Sequence, residues 1–568
     1  VKVLNEAGIP AAFINSSMSV SDYYEVIRNA RQGLYKIIYV APERLVTEGF
    51  LAFAKEIQIS MIAVDEAHCI SQWGQDFRPS YMKIVEFVNL LKKRPIISAF
   101  TATATEAVRE DVICTLGLNN PYELVSGFDR ENLFFQVDKP KNKGQYILDY
   151  IAEHPKDSGI IYCATRKNVD YVYELLKSKG VSVVKYHAGM DALERKQAQD
   201  EFIFDYTGLI VATNAFGMGI DKSNVRFVIH YNMPQSMENY YQEAGRAGRD
   251  GLDAKCILLF STQDIIINQF LLEHKELQDL NPEDCQIIKE RDYARLKIME
   301  RYCYTTKCLR NYILKYFGEQ PEKSCKNCGN CLHEFETLDM TDAAKKIINC
   351  VYEAKGRYGK EIIIDAVSGS NTAKIRKVGA DKYKSYGVLE SINKNLLRSL
   401  VEQMILEEYL TIGHYQVIKL GDISPLKNPT TTVLLTIADE DKTIDRATKK
   451  KIKETEVLMS DGFQLFEKLK ELRLKIAREE KMPPYIIFND KTLIDMAVKV
   501  PTSQQQMMNV SGVGEHKYAK YGERFISAIK EWSLANSVLG QNNVKSEKIE
   551  KIEDKIVNKK SKKIYKIN

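Results

Sequence analysis

Residues 61–68 read MIAVDEAH, an apolar run that ends in two adjacent acids. Such a run is typical of a buried strand in a parallel sheet, and α/β proteins bind ligands at the carboxyl edge of that sheet. At this edge Asp65 is placed to hold Mg²⁺, directly or through water, and Glu66 to polarise an attacking water. Taken alone, an Asp-Glu pair after a strand more often marks the start of a helix. The interpretation therefore depends on the segments that accompany it.

Similar apolar runs alternate with helical patterns up to about residue 265. They lie at 36–40, 95–100, 159–163, 181–186, 209–212 and 227–231. β-branched runs separated by helices predict parallel sheets that are covered by helices on both faces. The stretch near 136–145 predicts a joint between two such sheets. The predicted fold class is therefore α/β, with parallel-sheet domains at 1–135 and 136–265.

Three further segments favour a nucleotide-driven motor. They read SAFTATA at 98–104, ATNAFGMGID at 212–221 and QEAGRAGRDG at 242–251. The first offers small hydroxyl side chains suited to a coupling loop beside the acids. In the last, Arg246 and Arg249 lie between glycines that let a phosphate approach, and their fixed charge would stabilise a γ-phosphoryl group. One Gly-Arg element alone would be a turn with a solvated arginine, but the ordered set indicates phosphoryl chemistry.

Bulk composition limits the possible domain count and class of the protein but does not identify its partner. At 568 residues the chain is too long for one core, and a prior of about 150 residues per domain suggests about four units. The formal net charge is +5, and residues 541–568, with nine lysines and four acids, account for all of it. A nucleic-acid groove must therefore come from local clustering of cations. No apolar run approaches the roughly 18 residues of a membrane helix, so no membrane is expected as a partner.

Past residue 265 the pattern becomes mostly helical. Three amphipathic helical stretches followed by a hairpin at 409–418 are typical of a winged helix. The predicted units are a helical, cysteine-bearing subdomain at 266–335, a winged helix at 336–440, a linker at 441–455, an all-helical bundle at 456–535 and a Lys-rich disordered tail at 536–568.

The order of these motifs resembles the superfamily 2 helicases, and in particular the RecQ branch. The segments that carry the resemblance are YVAPERL at 39–45, CISQWGQDFRP at 69–79, YHAGM at 186–190 and QEAGRAGRDG at 242–251. It covers essentially residues 1–535. The resemblance implies two RecA-like domains that hydrolyse ATP with Mg²⁺ at their interface while stepping 3′-to-5′ along single-stranded DNA, in recombination and repair.

The resemblance also implies roles for single residues. His68 and Gln242 would couple hydrolysis to movement, beside the Mg²⁺-binding Asp65 and the water-activating Glu66. From the second domain, nucleotide contacts are expected from Gly219, Asp221, Arg246 and Arg249, with Asp221 near the ribose. Which arginine is the principal finger stays open.

The segment after the acids is a candidate DNA sensor. Trp73 and Phe77 could stack on unpaired bases, at about 1–3 kcal/mol per base, with Arg78 beside them. Aromatic residues are ordinarily core residues, which is the alternative. The polar and glycine neighbours argue against a buried stretch and favour the DNA role.

Four cysteines have the spacing of a metal site. Cys325, Cys328 and Cys331 are separated by two residues each, and Cys308, expected on the preceding helix, would complete a tetrahedral Cys₄ zinc site. A disulfide framework and an iron–sulfur cluster are the alternatives, and Cys303 is a rival fourth ligand. The RecQ resemblance implies structural Zn²⁺ on the first set.

The two C-terminal modules resemble the RecQ winged helix, which binds duplex or forked DNA, and the HRDC domain, which helps to bind single strands or branched DNA. His414 and Tyr415 lie near the wing tip, where they would wedge against a base pair or be ordinary hairpin residues. Lys517 and Lys520, interleaved with Tyr518, suit a phosphate backbone. The alternative is a solvated helix face with the tyrosine packed inward.

One expected element is absent from the sequence. None of the 30 glycines begins the Gly-x-x-x-x-Gly-Lys pattern whose amides and lysine cradle phosphates. Two hypotheses follow: the sequence is part of a longer RecQ helicase, which a first residue other than Met favours, or it is a DNA-binding module without ATPase activity. A superfamily 2 RNA helicase is a weaker third. Further expectations are a cytoplasmic monomer, nucleoid-associated if bacterial, with a single-stranded-DNA-binding protein as a candidate partner.

Overall fold

A computed structural model of the protein describes most of the chain. The described residues are 1, 4–5, 8–15, 18–71, 74, 77–217, 222–275, 282–321, 324–333, 336–407, 409–412, 417–428, 431–437 and 460–539. Within these ranges no helix combines the length and the apolar character that crossing a membrane requires.

The first lobe has parallel strands in two separate pairs. Strand β1 (Ala11–Ile14) pairs with β2 (Ile37–Val40), and β3 (Met61–Val64) pairs with β4 (Ile96–Ala99). The helices of this lobe are α1 (Val20–Arg31), α2 (Glu48–Glu56), α3 (Met82–Leu90) and α4 (Glu106–Leu116). Several strand side chains remain exposed, including Ile96 at 71%. In the described part of this lobe the pairs do not join into the single covered sheet that the apolar runs predict.

The second lobe is built on one parallel sheet, as predicted. The order of its six described strands is β5-β10-β9-β6-β8-β7. They span β5 (Leu133–Asp138), β6 (Ser158–Tyr162), β7 (Val183–Tyr186), β8 (Leu209–Ala212), β9 (Val225–His230) and β10 (Ala254–Leu259). Adjacent residues Ile160 and Ile161 pack into two different core clusters, so both faces of the sheet are covered. The covering helices include α5 (Lys143–Glu153), α6 (Arg166–Ser178), α7 (Ala192–Ile203) and α8 (Met237–Ala244).

The joint predicted near 136–145 is wrong. Leu133–Asp138 forms strand β5 at the edge of the second sheet, in register with Ala254–Leu259, and α5 begins at Lys143. Two polar side chains there have partners: Asp138 accepts a hydrogen bond from Tyr146, and Lys143 pairs with Asp264, while Lys141 is exposed. Polar residues that indicated a linker in the sequence thus belong to a packed strand and helix.

Mostly helical modules follow. The cysteine-bearing module contains α9 (Thr262–Glu273), α10 (Pro282–Tyr304), α11 (Leu309–Tyr316) and the short α12 (Gly329–Leu332). The next module contains β11 (Glu336–Asp339), α13 (Thr341–Glu353), α14 (Lys360–Val367), α15 (Ala373–Val378), α16 (Lys394–Leu406), β12 (Leu410–Ile412), β13 (Ile418–Leu420) and β14 (Leu434–Ile437). Antiparallel β12 and β13 form the predicted hairpin, but four described helices precede it instead of three. Strand β11 pairs with β14 and closes the module.

The last described module is an all-helical bundle with its own core. Its helices are α17 (Ser460–Glu480), α18 (Pro484–Ile487), α19 (Asp490–Lys499), α20 (Gln504–Met508), α21 (Glu515–Lys517) and α22 (Glu523–Leu539), with a π-helical turn at Tyr518–Gly522. Leu465, Phe488 and Phe525 are fully buried in this core. The bundle is therefore a separate packing unit, as the sequence predicts.

Candidate active site and metal centre

Strand β3 delivers the two acids to the carboxyl edge of its sheet. Asp65 is exposed, and its Oδ1 accepts a hydrogen bond from the Glu66 backbone N–H at 2.9 Å. Glu66 has a left-handed backbone, with φ 48° and ψ 45°, immediately before a 3₁₀ turn at Ala67–Ile70. This conformation costs a non-glycine residue about 1–2 kcal/mol, and such strain is concentrated at functional sites. The strand end therefore presents one accessible carboxylate and one whose direction is set by a strained turn.

A chain of hydrogen bonds leads from His68, which lies beside Glu66, to the second lobe. His68 is buried, with its Nδ1 at 3.4 Å from Glu66 Oε2 and 2.9 Å from Thr101 Oγ1. Thr101 Oγ1 also accepts from the Thr103 backbone N–H at 3.2 Å. Gln242 Nε2, from α8 of the other lobe, donates to Thr103 Oγ1 at 2.8 Å. The structure thus brings together the two acids, the histidine, the hydroxyl loop and Gln242.

The two arginines after α8 have different surroundings. Arg246 donates to the Gly217 carbonyl at 2.5 Å, and a β-carbon at position 217 would collide with its guanidinium. Tyr162 Oη donates to the neighbouring Phe216 carbonyl at 2.9 Å. Arg249 is exposed. Arg246 therefore ties α8 to the ATNAFG segment of its own lobe. Gly219 and Asp221 lie outside the described residues.

Helix α8 is also held by residues that the sequence patterns did not single out. His230 Nε2 lies 2.8 Å from Glu243 Oε2, and the ring of Tyr162 stacks on His230 with centroids 5.5 Å apart. On the other side, Tyr316 Oη donates to Glu238 Oε1 at 2.6 Å. His230 and Tyr162 each end an apolar run, a position at the binding edge that could have drawn attention to them.

The candidate DNA sensor follows directly from His68. Phe77 and Arg78 are half-buried, and the Arg78 backbone N–H donates to the Cys69 carbonyl at 3.0 Å. A β-carbon at Gly74 would collide with the His68 carbonyl, so this turn requires glycine. Trp73 lies outside the described residues. The DNA role of this segment stays a prediction, but its ends are anchored beside the acids.

The predicted cysteine ligands converge. The Sγ atoms of Cys308, Cys325, Cys328 and Cys331 all lie within 4.8 Å of one another, with 3.9 Å between Cys325 and Cys331. Four thiolates at such distances suit tetrahedral Zn²⁺, for which Zn–S bonds are about 2.3 Å. A hydrogen bond from Cys325 lowers the pKa of the Cys328 thiol.

Two details of the cysteine prediction depend on where Cys308 and Cys303 lie in the fold. Cys308 does not lie on the preceding helix, which ends at Tyr304; it caps the start of α11. The rival Cys303 is buried in the hydrophobic core of the second lobe, and burial raises its pKa far above the ordinary value. A thiol that resists ionisation among apolar side chains is a poor metal ligand.

The metal centre is fastened to the edge strand of the second lobe. Asn330 Nδ2 donates to the carbonyls of Thr305 and Lys307 at 2.7 and 2.9 Å. Arg310 is buried, pairs with Asp129 at 2.6 Å and donates to the carbonyl of Leu133. Because Arg310 joins α11 to β5 and Asn330 holds α12 to the segment before α11, the cysteine cluster is packed against the second sheet.

The C-terminal candidates are described in part. Lys520 pairs with Glu480 at 2.6 Å, and Lys517 Nζ lies 5.7 Å from the ring centre of Phe488. Burial lowers the pKa of Lys517. Tyr518 packs inward, as in the alternative interpretation. His414 and Tyr415 lie outside the described residues, and DNA contact by all these side chains stays a prediction.

Comparison with known proteins matches the chain module by module. Family models match in the order DEAD/DEAH box helicase at 1–111, helicase conserved C-terminal domain at 142–251, RecQ zinc-binding at 262–332, RQC domain at 334–441 and HRDC domain at 462–529. The zinc-binding match and the cysteine geometry together support Zn²⁺ as the metal.

Curated relatives cover nearly the whole chain. The ATP-dependent DNA helicase RecQ of Bacillus subtilis is 38% identical over 533 residues, which is 94% of this chain and 87% of that protein. The protein of the same name from Haemophilus influenzae is 34% identical over 553 residues, covering 96% of this chain and 86% of that protein.

Proposed function

Because this chain belongs to the RecQ family of ATP-dependent DNA helicases, we propose that it forms the part of a motor enzyme that steps 3′-to-5′ along single-stranded DNA. The observation that carries the proposal is the path from Glu66, which lies 3.4 Å from His68, through the hydrogen bonds of His68, Thr101 and Thr103 to Gln242 across the two lobes. Recombination and repair are the proposed setting. DNA is the proposed partner, and action as a monomer and contact with a single-stranded-DNA-binding protein stay predictions.

The geometry supports a different role for each of these residues. Mg²⁺, when bound, would neutralise phosphate charge, and the exposed carboxylate of Asp65 suits it. Glu66 would orient the attacking water and accept its proton. His68 would respond to the position of the Glu66 carboxylate. Its hydrogen bond to Thr101 would transmit that change to the loop at 98–104. The second lobe would respond to this change at Thr103, because Gln242 donates a hydrogen bond to the Thr103 hydroxyl.

The arginines would act from the second lobe. Arg249 is proposed to reach the γ-phosphate, since its side chain is exposed at the end of the α8 segment. Arg246 would instead keep the ATNAFG segment and α8 moving together, since it bonds the Gly217 carbonyl. Arg249 would add stabilisation only when the lobes close, so that its charge acts on the transition state and not on the bound substrate.

We also propose that the 568 residues by themselves hydrolyse ATP very slowly. Their sequence contains no Gly-x-x-x-x-Gly-Lys cradle for the phosphates, and the strands described in the first lobe form two separate pairs. A DNA-binding module without ATPase activity is therefore the second candidate function. The two candidates differ in whether Glu66 would contribute to turnover where a phosphate cradle is supplied.

DNA-stimulated ATPase assays test the slow-hydrolysis proposal. We expect the 568-residue chain to release phosphate no faster than its Glu66→Gln variant, while both bind single-stranded DNA with the same affinity. Turnover near the roughly 10 s⁻¹ typical of enzymes, abolished by Glu66→Gln, would contradict the slow-hydrolysis proposal. Absence of DNA binding by the parent chain would contradict both candidates.

A further inference from the structure

The loop that carries the two arginines is bonded by a side chain from outside it. This arginine loop, residues 245–251, follows α8 and reads GRAGRDG. Arg130 precedes β5, yet its Nη2 donates to the carbonyls of Ala247 and Gly248 at 3.2 and 2.9 Å. Its Nη1 donates to the carbonyl of Gly245 at 3.4 Å. Three carbonyls of the loop therefore converge on one guanidinium.

The end of α8 is a position that favours a cation. The last carbonyls of a helix have no partner within it, and they form the negative end of the helix dipole. A guanidinium presents five N–H donors in one plane, so it can bond several carbonyls and fix their directions. Because a carbonyl shares its peptide plane with the next N–H, Arg130 constrains the path of the chain from Arg246 to Arg249.

Asn132 holds the same loop. Its Nδ2 donates to the carbonyls of Gly248 and Leu252 at 2.9 and 2.7 Å. Gly248 has a left-handed backbone, with φ 56°, and a β-carbon there would collide with Asn132 Nδ2. The arginine loop is therefore in close contact with residues 128–132, which read FDREN. We call these residues the crossing segment, because they connect the first lobe to β5.

The crossing segment is itself anchored on both sides of Arg130. The Tyr241 hydroxyl, on α8, donates to the Phe128 carbonyl at 2.8 Å. From α11, Arg310 donates to the Arg130 carbonyl and pairs with Asp129, each at 2.6 Å. A side chain that extends from a fixed backbone positions its partners better than one that extends from a loose loop. The crossing segment can therefore act as a support for the arginine loop.

We propose that Arg130 is a positioning residue for the arginine loop, and that its carbonyl bonds hold Arg249 where it can reach the phosphates. The inference rests on the proposed function in that Arg249 acts on phosphate. The alternative is that Arg130 only stabilises the second lobe as a whole. The two differ in where the loss of Arg130 is felt, which is either the arginine loop alone or the sheet as well.

Hydrogen exchange in the full 568-residue chain tests this role. The reporters are the amides of Gly248 and Asp250, which donate to carbonyls outside the loop, and the amides of β6. We expect Arg130→Ala to speed exchange of the loop amides by about 10-fold or more, as the loss of hydrogen bonds to a charged group predicts. Exchange at β6 should not change, because the sheet opens independently of the loop.

Two further variants serve as controls. Arg94 bonds the carbonyls of Leu116 and Gly117 at the end of α4, so Arg94→Ala removes a similar contact in the first lobe. It should leave the arginine loop as protected as in the parent. Arg130→Lys keeps the charge but not the planar fork, and we expect its loop to exchange at a rate between those of the parent and Arg130→Ala.

The reactivity of the two arginine side chains gives a second readout. In the parent, phenylglyoxal should modify exposed Arg249 faster than Arg246, whose guanidinium bonds the Gly217 carbonyl. Arg130→Ala should reduce this difference in rate, and Arg94→Ala should not. A general stabilising role of Arg130 would leave the difference unchanged while the chain stays folded.

The proposal is overturned if the loop of Arg130→Ala exchanges no faster than that of Arg94→Ala, or if exchange at β6 rises as much as in the loop. An unchanged difference in labelling rate would also overturn it. If Arg130→Ala does not fold, Arg130→Lys decides, because its loop must exchange faster than the parent's while β6 stays unchanged. Absence of single-stranded DNA binding by the parent would contradict the proposed function and leave the result for Arg130 intact.

Discussion

At the scale of single residues, Thr103 joins the two lobes. Its hydroxyl is buried and accepts from Gln242, while its backbone N–H bonds Thr101. The sequence predicts a coupling loop and a coupling glutamine separately. It does not predict which hydroxyl meets the glutamine, because that depends on how the lobes pack.

A double-mutant cycle tests the Thr103–Gln242 bond. We expect Thr103→Val and Gln242→Leu each to cost about 0.5–1.5 kcal/mol in free energy of unfolding of the first lobe, and the pair together to cost less than the sum. Urea unfolding would be followed by the fluorescence of Trp73 in a Trp532→Phe background, since the chain has two tryptophans. Costs that add to within about 0.3 kcal/mol would rule out a direct bond.

Two ion pairs of the second lobe differ in burial and should differ in energetic weight. Lys143 and Asp264 are 2.7 Å apart with both side chains largely buried, whereas Lys185 and Asp170 are 2.6 Å apart and partly exposed. We expect Lys143→Met to cost about 3–5 kcal/mol, because it leaves a buried carboxylate uncompensated, and Lys185→Met no more than about 1 kcal/mol. Hydrogen exchange at the amides of β6 would measure both.

The exposed pair also has a defined pH dependence. The hydrogen bond from Lys185 lowers the pKa of Asp170 below its ordinary value. Its small stabilisation is therefore present above the ordinary carboxyl pKa and is lost as the pH falls through the lowered one. Equal costs for Lys143→Met and Lys185→Met at neutral pH would contradict the assignment by burial.

At the scale of elements, the cysteine cluster is the strongest agreement between sequence and structure. Short spacing confines Cys325, Cys328 and Cys331 to one turn-rich loop, so local geometry alone nearly determines their meeting. Cys308 is different, because its place depends on α11 docking against β5. That is why its position at the start of the following helix was not predicted.

Metal analysis of two variants tests the ligand set. We expect the parent to contain one equivalent of zinc, Cys308→Ser to lose it with a lowered melting temperature, and Cys303→Ser to retain it. Loss of metal in Cys303→Ser with retention in Cys308→Ser would reverse the assignment. Iron with visible absorption in place of zinc would favour the iron–sulfur alternative.

At the scale of the whole molecule, the two lobes differ in how well their strands are supported. Strands β6 and β8 are fully buried and each has two neighbours in the sheet, while each of β1–β4 has one partner among the described residues. Exposed strand edges and apolar side chains such as Ile96 lower local stability.

Native-state hydrogen exchange should therefore separate the lobes. We expect the amides of β2 and β4 to exchange faster than those of β6 and β9. Their opening free energies should be lower by several kcal/mol, and this difference would be a large part of the total stability of a domain. Equal protection in both lobes would show that the paired strands of the first lobe are supported as well as the continuous sheet.

By itself, the sequence determined the family, the order of modules, most strands of the two parallel-sheet lobes (but not β1, β5 or β10) and the acidic and cysteine ligand types. These depend on local pattern, on periodicity and on motifs that keep chemical groups a few residues apart. Which residues contact one another within the chain was decided only by the tertiary structure. It placed Gln242 on Thr103, Arg246 on Gly217 and β5 in the second sheet. The physical reason is that such contacts join residues far apart in the chain, whose meeting depends on the packing of whole elements and leaves no local signature.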